Sequence, residues 1–195
     1  MWTSDGMERL SMAQALDEYE RIAAVLESDG LIIVPTDTIY GLCCHAYSEA
    51  GLVAIRSLKE RWGKPMSIIA PSKEWIAERF ELNAHASWLD ELPGRYTLVL
   101  TAKDAFPEQL SVSGTVGVRI PDHPIAQLVE RFGFPIVATS VNRAGFEPLV
   151  SLNQLGESAY ERFSQVAFAI DDGVKDGPAS SVIDVTGERP VYVRM

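Results

Sequence analysis

The sequence is short of cysteine, of positive charge and of long apolar runs, and each shortage excludes a class of protein. Its 195 residues include two cysteines, Cys43 and Cys44, and neighbours in sequence rarely form a structural disulfide. Lysine and arginine number 17 against 27 aspartates and glutamates, and the net charge of −10 disfavours a broad nucleic-acid surface. No apolar run reaches the roughly 20 residues that span a bilayer, and no signal-peptide pattern opens the chain. We therefore expect a cytoplasmic protein with no membrane partner.

The rest of the composition suits one folding unit. Apolar residues make up 47% of the chain, enough to bury a sizeable core at this length. We expect a single domain over residues 1–195, with residues 1–10 flexible. Cys43, Cys44 and His45 offer metal-binding atoms, but consecutive side chains of a strand alternate between faces and cannot all reach one ion. No protein-bound metal site is predicted.

One stretch combines a strand with a polar loop. Residues 31–34 are apolar and partly β-branched, and they run into Pro35, which lacks an amide hydrogen, so a buried strand is predicted to end there. Gly41 then allows a turn or a close approach to a ligand. Three hydroxyls and a carboxylate lie between them, on Thr36, Asp37, Thr38 and Tyr40. Open α/β sheets bind ligands at such strand ends, although a hydrogen-bonded turn explains the same pattern.

The same arrangement recurs later in the chain. Residues 134–138 are predicted to form a short buried strand, and residues 139–145 follow as a hydroxyl-rich loop that ends in glycine. Ser140 and Asn142 are among the polar residues of this second loop. We expect the two loops to face one crevice.

Three cations lie together at the end of a predicted helix that begins at Ser48 or Glu49. Lys59, Arg61 and Lys64 fall within six positions. Basic residues near a helix C-terminus complement the helix dipole, which is one explanation of the cluster. A mobile lysine and a planar arginine also suit a polyphosphate, which is the other. We expect Lys59 and Arg61 to lie at a solvent-facing helix end.

A buried charge is predicted near the end of another strand. Residues 114–121 read as a strand that alternates in part and ends at proline, and Arg119 lies just before that end. An arginine on the inner face of a strand is costly unless it is paired. Arg119 therefore either meets an acidic side chain or binds a carboxylate ligand.

Helix and strand patterns alternate along the rest of the chain. The predicted elements are helices over residues 12–27, around 125–129 and around 153–163, and strands at 66–70, 95–100, 166–170, 179–185 and 190–194. This order predicts an α/β fold, a twisted mixed β-sheet flanked by helices, with ligands in an open cleft.

Six ordered motifs resemble those of the YrdC-like family of threonylcarbamoyl-adenylate synthases, over residues 12–194. They are Pro35 to Leu42, Lys59-x-Arg61, Pro93-Gly94 with Thr97, Val118-Arg119-x-Pro121-x-His123-Pro124, Thr139-Ser140-x-Asn142, and Ser180 to Asp184. Six motifs in order are more specific than any one alone. Residues 93–96, 172–174 and 190–194 also resemble the YciO-like branch of the family. That branch typically lacks the Lys-x-Arg and Ser-x-Asn residues, so the resemblance favours an active synthase.

The resemblance implies a fold, an activity and a set of small molecules. It implies a YrdC-like domain without the additional C-terminal domain of the family's longer members. The family's enzymes are nucleotidyltransferases that join L-threonine, bicarbonate and ATP into threonylcarbamoyl-AMP and pyrophosphate, for the threonylcarbamoyladenosine modification of tRNA. Magnesium is expected on the ATP phosphates, since phosphates and water commonly bind it with few protein ligands.

The resemblance also implies which residues hold ATP. Lys59 and Arg61 match the Lys-x-Arg pair and would hold the triphosphate, with Ser140 and Asn142 supplying neutral hydrogen bonds from the opposite loop. These four are the candidate catalytic residues. Together with Thr115, which would lie by the nucleotide, they are also the candidate ATP-binding residues.

Three further matches imply the threonine side of the site. Arg119 would pair with the threonine carboxylate, and Thr36 and Ser180 would lie near the same amino acid. Positive charge around the phosphates and the carboxylate is what such a transfer needs.

Two other functions stay open. One is an RNA-binding module without turnover, for tRNA or double-stranded RNA, which the acidic composition disfavours. The other is a related enzyme that handles another carbamoyl-adenylate, because fold and phosphate contacts would be shared. The tRNA threonylcarbamoyl transferase machinery is the partner that the resemblance implies, since a labile adenylate must reach it.

Overall fold

A computed structural model of the protein describes residues 7–60, 62–63, 65–111, 113–143, 145–155 and 163–194. Arg61, one half of the predicted Lys-x-Arg pair, lies outside these residues. Residues 1–6 and most of the helix predicted around 153–163 lie outside them as well.

Helices and strands alternate as the sequence patterns predict. The α-helices are α1 (Met12–Asp17), α2 (Tyr19–Glu27), α3 (Glu49–Lys59), α4 (Lys73–Arg79) and α5 (Ile125–Phe132), with 3₁₀ helices at Asn83–Glu91 and Leu152–Gln154. The strands are β1 (Glu8–Ser11), β2 (Leu31–Val34), β3 (Gly41–His45), β4 (Ser67–Ile69), β5 (Phe80–Glu81), β6 (Tyr96–Ala102), β7 (Thr115–Arg119), β8 (Ile136–Ser140), β9 (Val166–Asp171), β10 (Ser181–Asp184) and β11 (Val191–Arg194).

Within the described residues the eleven strands form one mixed sheet. Its order is β1-β9-β2-β3-β8-β4-β7-β6-β10-β11, with β5 paired to β6. β2 is parallel to β9 and antiparallel to β3, and β4 is parallel to β7 and antiparallel to β8. The prediction of a mixed β-sheet flanked by helices is confirmed.

Both faces of the sheet are covered, and alternation along the central strands shows how. Leu31 and Ile33 belong to one apolar cluster, whereas Ile32 and Val34 belong to another. Because successive side chains of a strand point to opposite faces, the two clusters are the two faces of the sheet. This explains why β2 is apolar at every position: a strand buried on both sides has no polar face.

Each face has its own helices. On one face, α3 contributes Leu52, Ile55 and Leu58 to the first cluster. On the other, α2 contributes Ile22 and Leu26, and α5 packs beside it. Helices α2 and α3 each show the apolar stripe that a helix needs to cover a sheet.

The residues that flank helix α3 determine where it begins and ends. The helix begins at Glu49, one of the two predicted starts, and Ser48 is its N-cap, since the Ser48 hydroxyl accepts a hydrogen bond from the Gly51 amide at 2.8 Å. The helix ends after Lys59, because Glu60 takes up a left-handed conformation at φ 50°.

One prediction near the N-terminus is wrong. The helix predicted over residues 12–27 is two helices, because Glu18 leaves helical geometry at φ −100° and ψ 23°. Before them, Met7 is buried and β1 pairs in parallel with β9. Local sequence does not show this pairing, which joins segments about 160 residues apart. Among the residues that the structure describes, no helix has the length and apolarity to cross a bilayer.

Candidate functional site

The two predicted strand-to-loop motifs meet. β3 runs antiparallel to β8, and the register sets Gly41 opposite Ser140, so the loop after β2 and the loop after β8 lie at the same end of the sheet. A cleft of about 310 Å³ lies between them. Its polar lining comes from both loops and from more distant strands, namely Thr36, Thr38, Tyr40, Ser67, Thr97, Arg119, Thr139, Ser140, Asn142, Ser180 and Arg194. The prediction that the two loops face one crevice is confirmed.

The far wall of the cleft comes from the other half of the sheet. β6 and β7 are antiparallel, with Leu98 opposite Val118, so the end of β7 lies beside the start of β6. β10 is parallel to β6, and β11 returns antiparallel to β10 with Arg194 opposite Val182. Four polar side chains therefore converge on this wall, those of Thr97, Arg119, Ser180 and Arg194.

Lys59 connects α3 to the second loop. Its Nζ donates to the Asn142 Oδ1 at 2.8 Å and to the Asn142 carbonyl at 3.2 Å. It also contacts the Ser140 carbonyl and, at 3.3 Å, the Ser140 Oγ. The Ser140 hydroxyl in turn donates to the Asn142 Oδ1 at 2.6 Å. The structure therefore brings together three of the four candidate catalytic residues.

The expectation that Lys59 lies at a solvent-facing helix end is wrong. Its side chain is buried, with 3% of the residue exposed. A buried ammonium is tolerated only when oxygens satisfy it, and the loop after β8 supplies them. That loop is 81 residues further along the chain, so no local pattern around Lys59 reveals the burial. A phosphate that reaches Nζ would have to exchange with one of these oxygens.

Arg119 meets an acidic side chain, the first of its two predicted alternatives. Its Nη2 donates to the Asp37 Oδ1 at 2.5 Å, and the side chains are only 9% and 6% exposed. The backbone amide of Asp122 donates to the other Asp37 oxygen, Oδ2, at 3.2 Å. Asp37 thus holds Arg119 from the loop after β2. Among the described residues, the buried Arg119 Nε finds no hydrogen-bond acceptor.

Burial lowers the pKa of the Arg119 guanidinium, and Asp37 opposes that change. Arg194 and Arg95 lower the same pKa further by charge repulsion. The far wall therefore carries more positive than negative charge, although the protein as a whole has a net charge of −10. Such a wall favours an anionic ligand.

Ser180 lies in this cationic wall. Its hydroxyl is 2.9 Å from that of Thr97, and its carbonyl accepts a hydrogen bond from the Arg194 Nη2 at 2.7 Å. Ser180 and Thr97 are both buried. Ser180 and Arg119 both line the cleft.

Thr36 lines the cleft from a hydrogen-bonded turn. Its hydroxyl donates to the Ile39 carbonyl at 2.8 Å and accepts from the Thr38 amide at 3.1 Å. The turn and the cleft, which the sequence left as alternatives, are both present. Thr115 begins β7, opposite Thr101, and is not among the cleft-lining residues.

Tyr40 closes the first loop onto a later segment. Its hydroxyl donates to the Gly173 carbonyl at 2.7 Å and accepts from the Asp172 amide at 3.1 Å. Burial raises the pKa of the Tyr40 phenol to about 12, so the hydroxyl stays protonated and can donate. The segment after β9 is thereby tied to the loop that carries Asp37.

A second contact ties the same segment to His123. The Asp172 Oδ2 lies 3.0 Å from Nε2 of His123, while Nδ1 accepts from the Ile125 amide at 3.1 Å. The ring therefore carries its proton on Nε2 and donates it to Asp172. Burial lowers the pKa of His123, although Asp172 opposes this change.

Sequence reasoning missed the site roles of Arg194 and Thr97. Arg194 lies in a strand whose four residues are all exposed to some degree, and nothing nearby marks a ligand site. Only the register of β11 against β10 brings its guanidinium to Ser180. Thr97 belongs to one of the six motifs, and its alternation with the apolar Leu98 in β6 is the sequence signal that could find it.

The cleft fits magnesium only through a bound phosphate. Its described lining holds hydroxyls, an amide and guanidinium groups but no carboxylate, and Asp37 is engaged by Arg119. Magnesium prefers oxygen ligands of high charge, which an ATP triphosphate supplies.

Comparisons with known proteins agree with this fold. The Sua5/YciO/YrdC family model, described as telomere recombination, matches residues 24–195. The threonylcarbamoyl-AMP synthase of Photorhabdus laumondii is 32% identical over 147 residues, covering 69% of this chain and 76% of that protein. Sua5 of P. abyssi, solved in complex with L-threonine, has a TM-score of 0.84 at 27% identity, covering 96% of this chain and 56% of that one. YciO of E. coli has a TM-score of 0.80 at 25% identity, covering 97% and 93%.

A mixed sheet flanked by helices, with a cleft between the ends of its strands, defines an α/β domain. The chain belongs to the Sua5/YciO/YrdC family. It spans about half the length of the P. abyssi relative, 56% of that protein.

Proposed function

We propose that this protein is a threonylcarbamoyl-AMP synthase, a nucleotidyltransferase. The amine of L-threonine adds to bicarbonate to give a carbamate and water. A carbamate oxygen then attacks the α-phosphorus of ATP, the bond from that phosphorus to the bridging oxygen breaks, and pyrophosphate leaves. The reaction needs a cation near the leaving phosphates and another near the threonine carboxylate.

One observation carries the proposal: buried Arg119 lines one end of the cleft, and the residues that line the other end contact a buried lysine. Lys59 is not itself in the lining, but its Nζ donates to Ser140 and Asn142, which line the end formed by β3 and β8. Arg119 lies at the end formed by β6, β7 and β10. Buried cations cost free energy, and an anion bound in the cleft repays that cost.

The phosphate end has four proposed contacts. Lys59 and Arg61 would hold the triphosphate, and the Ser140 hydroxyl and Asn142 amide would add neutral hydrogen bonds. Lys59 reaches the phosphates by giving up one loop oxygen. Thr115, proposed to lie by the nucleotide, is outside the cleft lining and is the least supported of these assignments.

The amino-acid end has three proposed contacts. Arg119 would bind the threonine carboxylate with the N–H groups that Asp37 does not use. Thr36 and Ser180 line the same cleft and would contact the rest of the amino acid. Magnesium would be held on the ATP phosphates, where it lowers their negative charge.

The product implies a place in tRNA modification. A mixed carbamic–phosphoric anhydride hydrolyses readily, so we propose that the tRNA threonylcarbamoyl transferase machinery receives it from this protein. We also propose that residues 1–195 act as a single domain. RNA binding is less supported, because Arg119 and Arg194 line a cleft of only about 310 Å³ and the net charge of the protein is −10.

Pyrophosphate release with ATP, magnesium and bicarbonate tests the proposal. Parallel reactions contain L-threonine, L-serine, glycine or no amino acid. Release that requires both threonine and bicarbonate is the expected result. Release with a different amino acid would instead indicate another carbamoyl-adenylate enzyme, and salt-sensitive RNA binding without turnover would indicate the binding module.

A further inference from the structure

The Asp37–Arg119 pair is more constrained than an ion pair needs to be. The Arg119 Nη2 meets the Asp37 Oδ1, while the Asp122 amide holds the Oδ2 at 3.2 Å. Both carboxylate oxygens are therefore fixed by different elements, the end of β7 and the turn that follows it. A carboxylate held in this way has one orientation, and so does the guanidinium bound to it.

The loop that carries Asp37 is itself held at several points. The Gly177 amide donates to the Thr38 carbonyl at 3.1 Å, and Tyr40 binds the segment after β9. A Cβ on Gly177 would lie 3.1 Å from the Asp37 carbonyl oxygen, which shows how closely these two segments of the chain approach each other. Asp37 is thus a fixed point against which Arg119 is oriented.

Asp37 does not saturate Arg119. A guanidinium has five N–H groups, and Asp37 engages Nη2, while the buried Nε finds no acceptor among the described residues. Arg119 also lines the cleft, with Arg194 as a second cation on the same wall. A second carboxylate is the group that this combination accepts.

We infer that Asp37 is a positioning residue of the amino-acid site, which orients Arg119 so that its remaining N–H groups receive the carboxylate of the substrate. The inference rests on the proposed function for the identity of that substrate. Without Asp37, Arg119 keeps its charge but loses its fixed orientation, so binding of the amino acid weakens while binding of ATP at the other end does not.

The test compares apparent KM values for threonine and ATP in Asp37→Asn, Arg119→Lys and the double variant. Asp37→Asn is expected to raise the threonine KM by roughly tenfold or more, because small misplacements of a binding group cost up to about a hundredfold. The ATP KM should stay within about twofold. If Asp37 acts through Arg119, the threonine KM of the double variant is no higher than that of Arg119→Lys alone.

Asp104→Asn is the matched control. It removes the same charge from an ion pair with Arg79 at 2.9 Å, but this pair is exposed and neither residue lines the cleft. Circular dichroism and thermal unfolding establish that each variant is folded. If Asp37→Asn does not fold, Asp37→Glu, which keeps the charge but moves the carboxylate, should still raise the threonine KM.

Calorimetric titration of L-threonine separates this inference from its premise. If the wild-type protein binds threonine but releases no pyrophosphate, the proposed function fails, and weaker threonine binding by Asp37→Asn still supports the inference. Equal changes in both KM values, an unchanged threonine KM, or additive effects in the double variant would overturn it. So would a wild-type protein that does not bind threonine.

Discussion

The burial of Lys59 predicts that this residue stabilises the protein as well as its site. In Lys59→Met the side chain keeps its length and apolar stem but loses the ammonium. The Ser140 and Asn142 carbonyls then lose a charged donor. We expect the variant to be less stable than wild type and to lose synthase activity.

The magnitude follows from the groups left behind. The Ser140 carbonyl keeps a hydrogen bond from the Asn142 amide at 3.0 Å, so the Asn142 carbonyl is the group that loses its donor, at a cost of about 1–3 kcal/mol. The methionine avoids the desolvation cost of a buried ammonium, which offsets part of that loss. The net free energy of unfolding should therefore fall by about 1 kcal/mol.

Urea unfolding followed by circular dichroism measures this difference, and Lys103→Met is its control. Lys103 Nζ also donates to a carbonyl, that of Ala77 at 2.8 Å, but at an exposed site. Its loss should change stability by no more than about 0.5 kcal/mol. If Lys59→Met is as stable as Lys103→Met, the buried network around Lys59 does not contribute as described.

Three further predictions concern stability. Tyr40→Phe removes a hydroxyl with two backbone partners and should cost about 1–3 kcal/mol in urea unfolding, whereas no loss would show that water replaces it. Gly51→Ala would set a Cβ 2.7 Å from the Cys44 Cβ and should cost about 1–3 kcal/mol, while Gly187→Ala, whose nearest contact is 3.9 Å, should be near neutral. Because burial lowers the pKa of His123 from 6.5, its contribution to stability is complete above pH 6.5 and falls as the pH drops below that value towards the folded pKa. His123→Gln should therefore flatten the urea stability measured between pH 8 and pH 5.5, and an unchanged slope would contradict this.

Much of the fold could be predicted because it depends on residues that are close together in sequence. The apolar run of β2 ends at Pro35, Ser48 caps α3, and β8, which ends at Ser140, begins with apolar residues as β2 does. Each of these features depends on neighbours within a few residues. The meeting of the two loops follows once β3 and β8 are antiparallel.

The parts that could not be predicted depend on distant partners. The burial of Lys59 comes from a loop 81 residues away, and the far wall of the cleft depends on the register of β11. The sequence did predict that Arg119 needs a partner, because the cost of a buried charge is a local property. That Asp37 is this partner required the fold, since the two residues are 82 positions apart.

The central claim is that the cleft joins threonine, bicarbonate and ATP, and the most direct measurement is the mass of the product. The protein is incubated with ATP, magnesium, L-threonine and ¹³C-bicarbonate, and the nucleotides are analysed at once by mass spectrometry. The account predicts threonylcarbamoyl-AMP that carries one ¹³C and is absent without threonine. AMP or ADP as the sole nucleotide product, with no label incorporated, would contradict it.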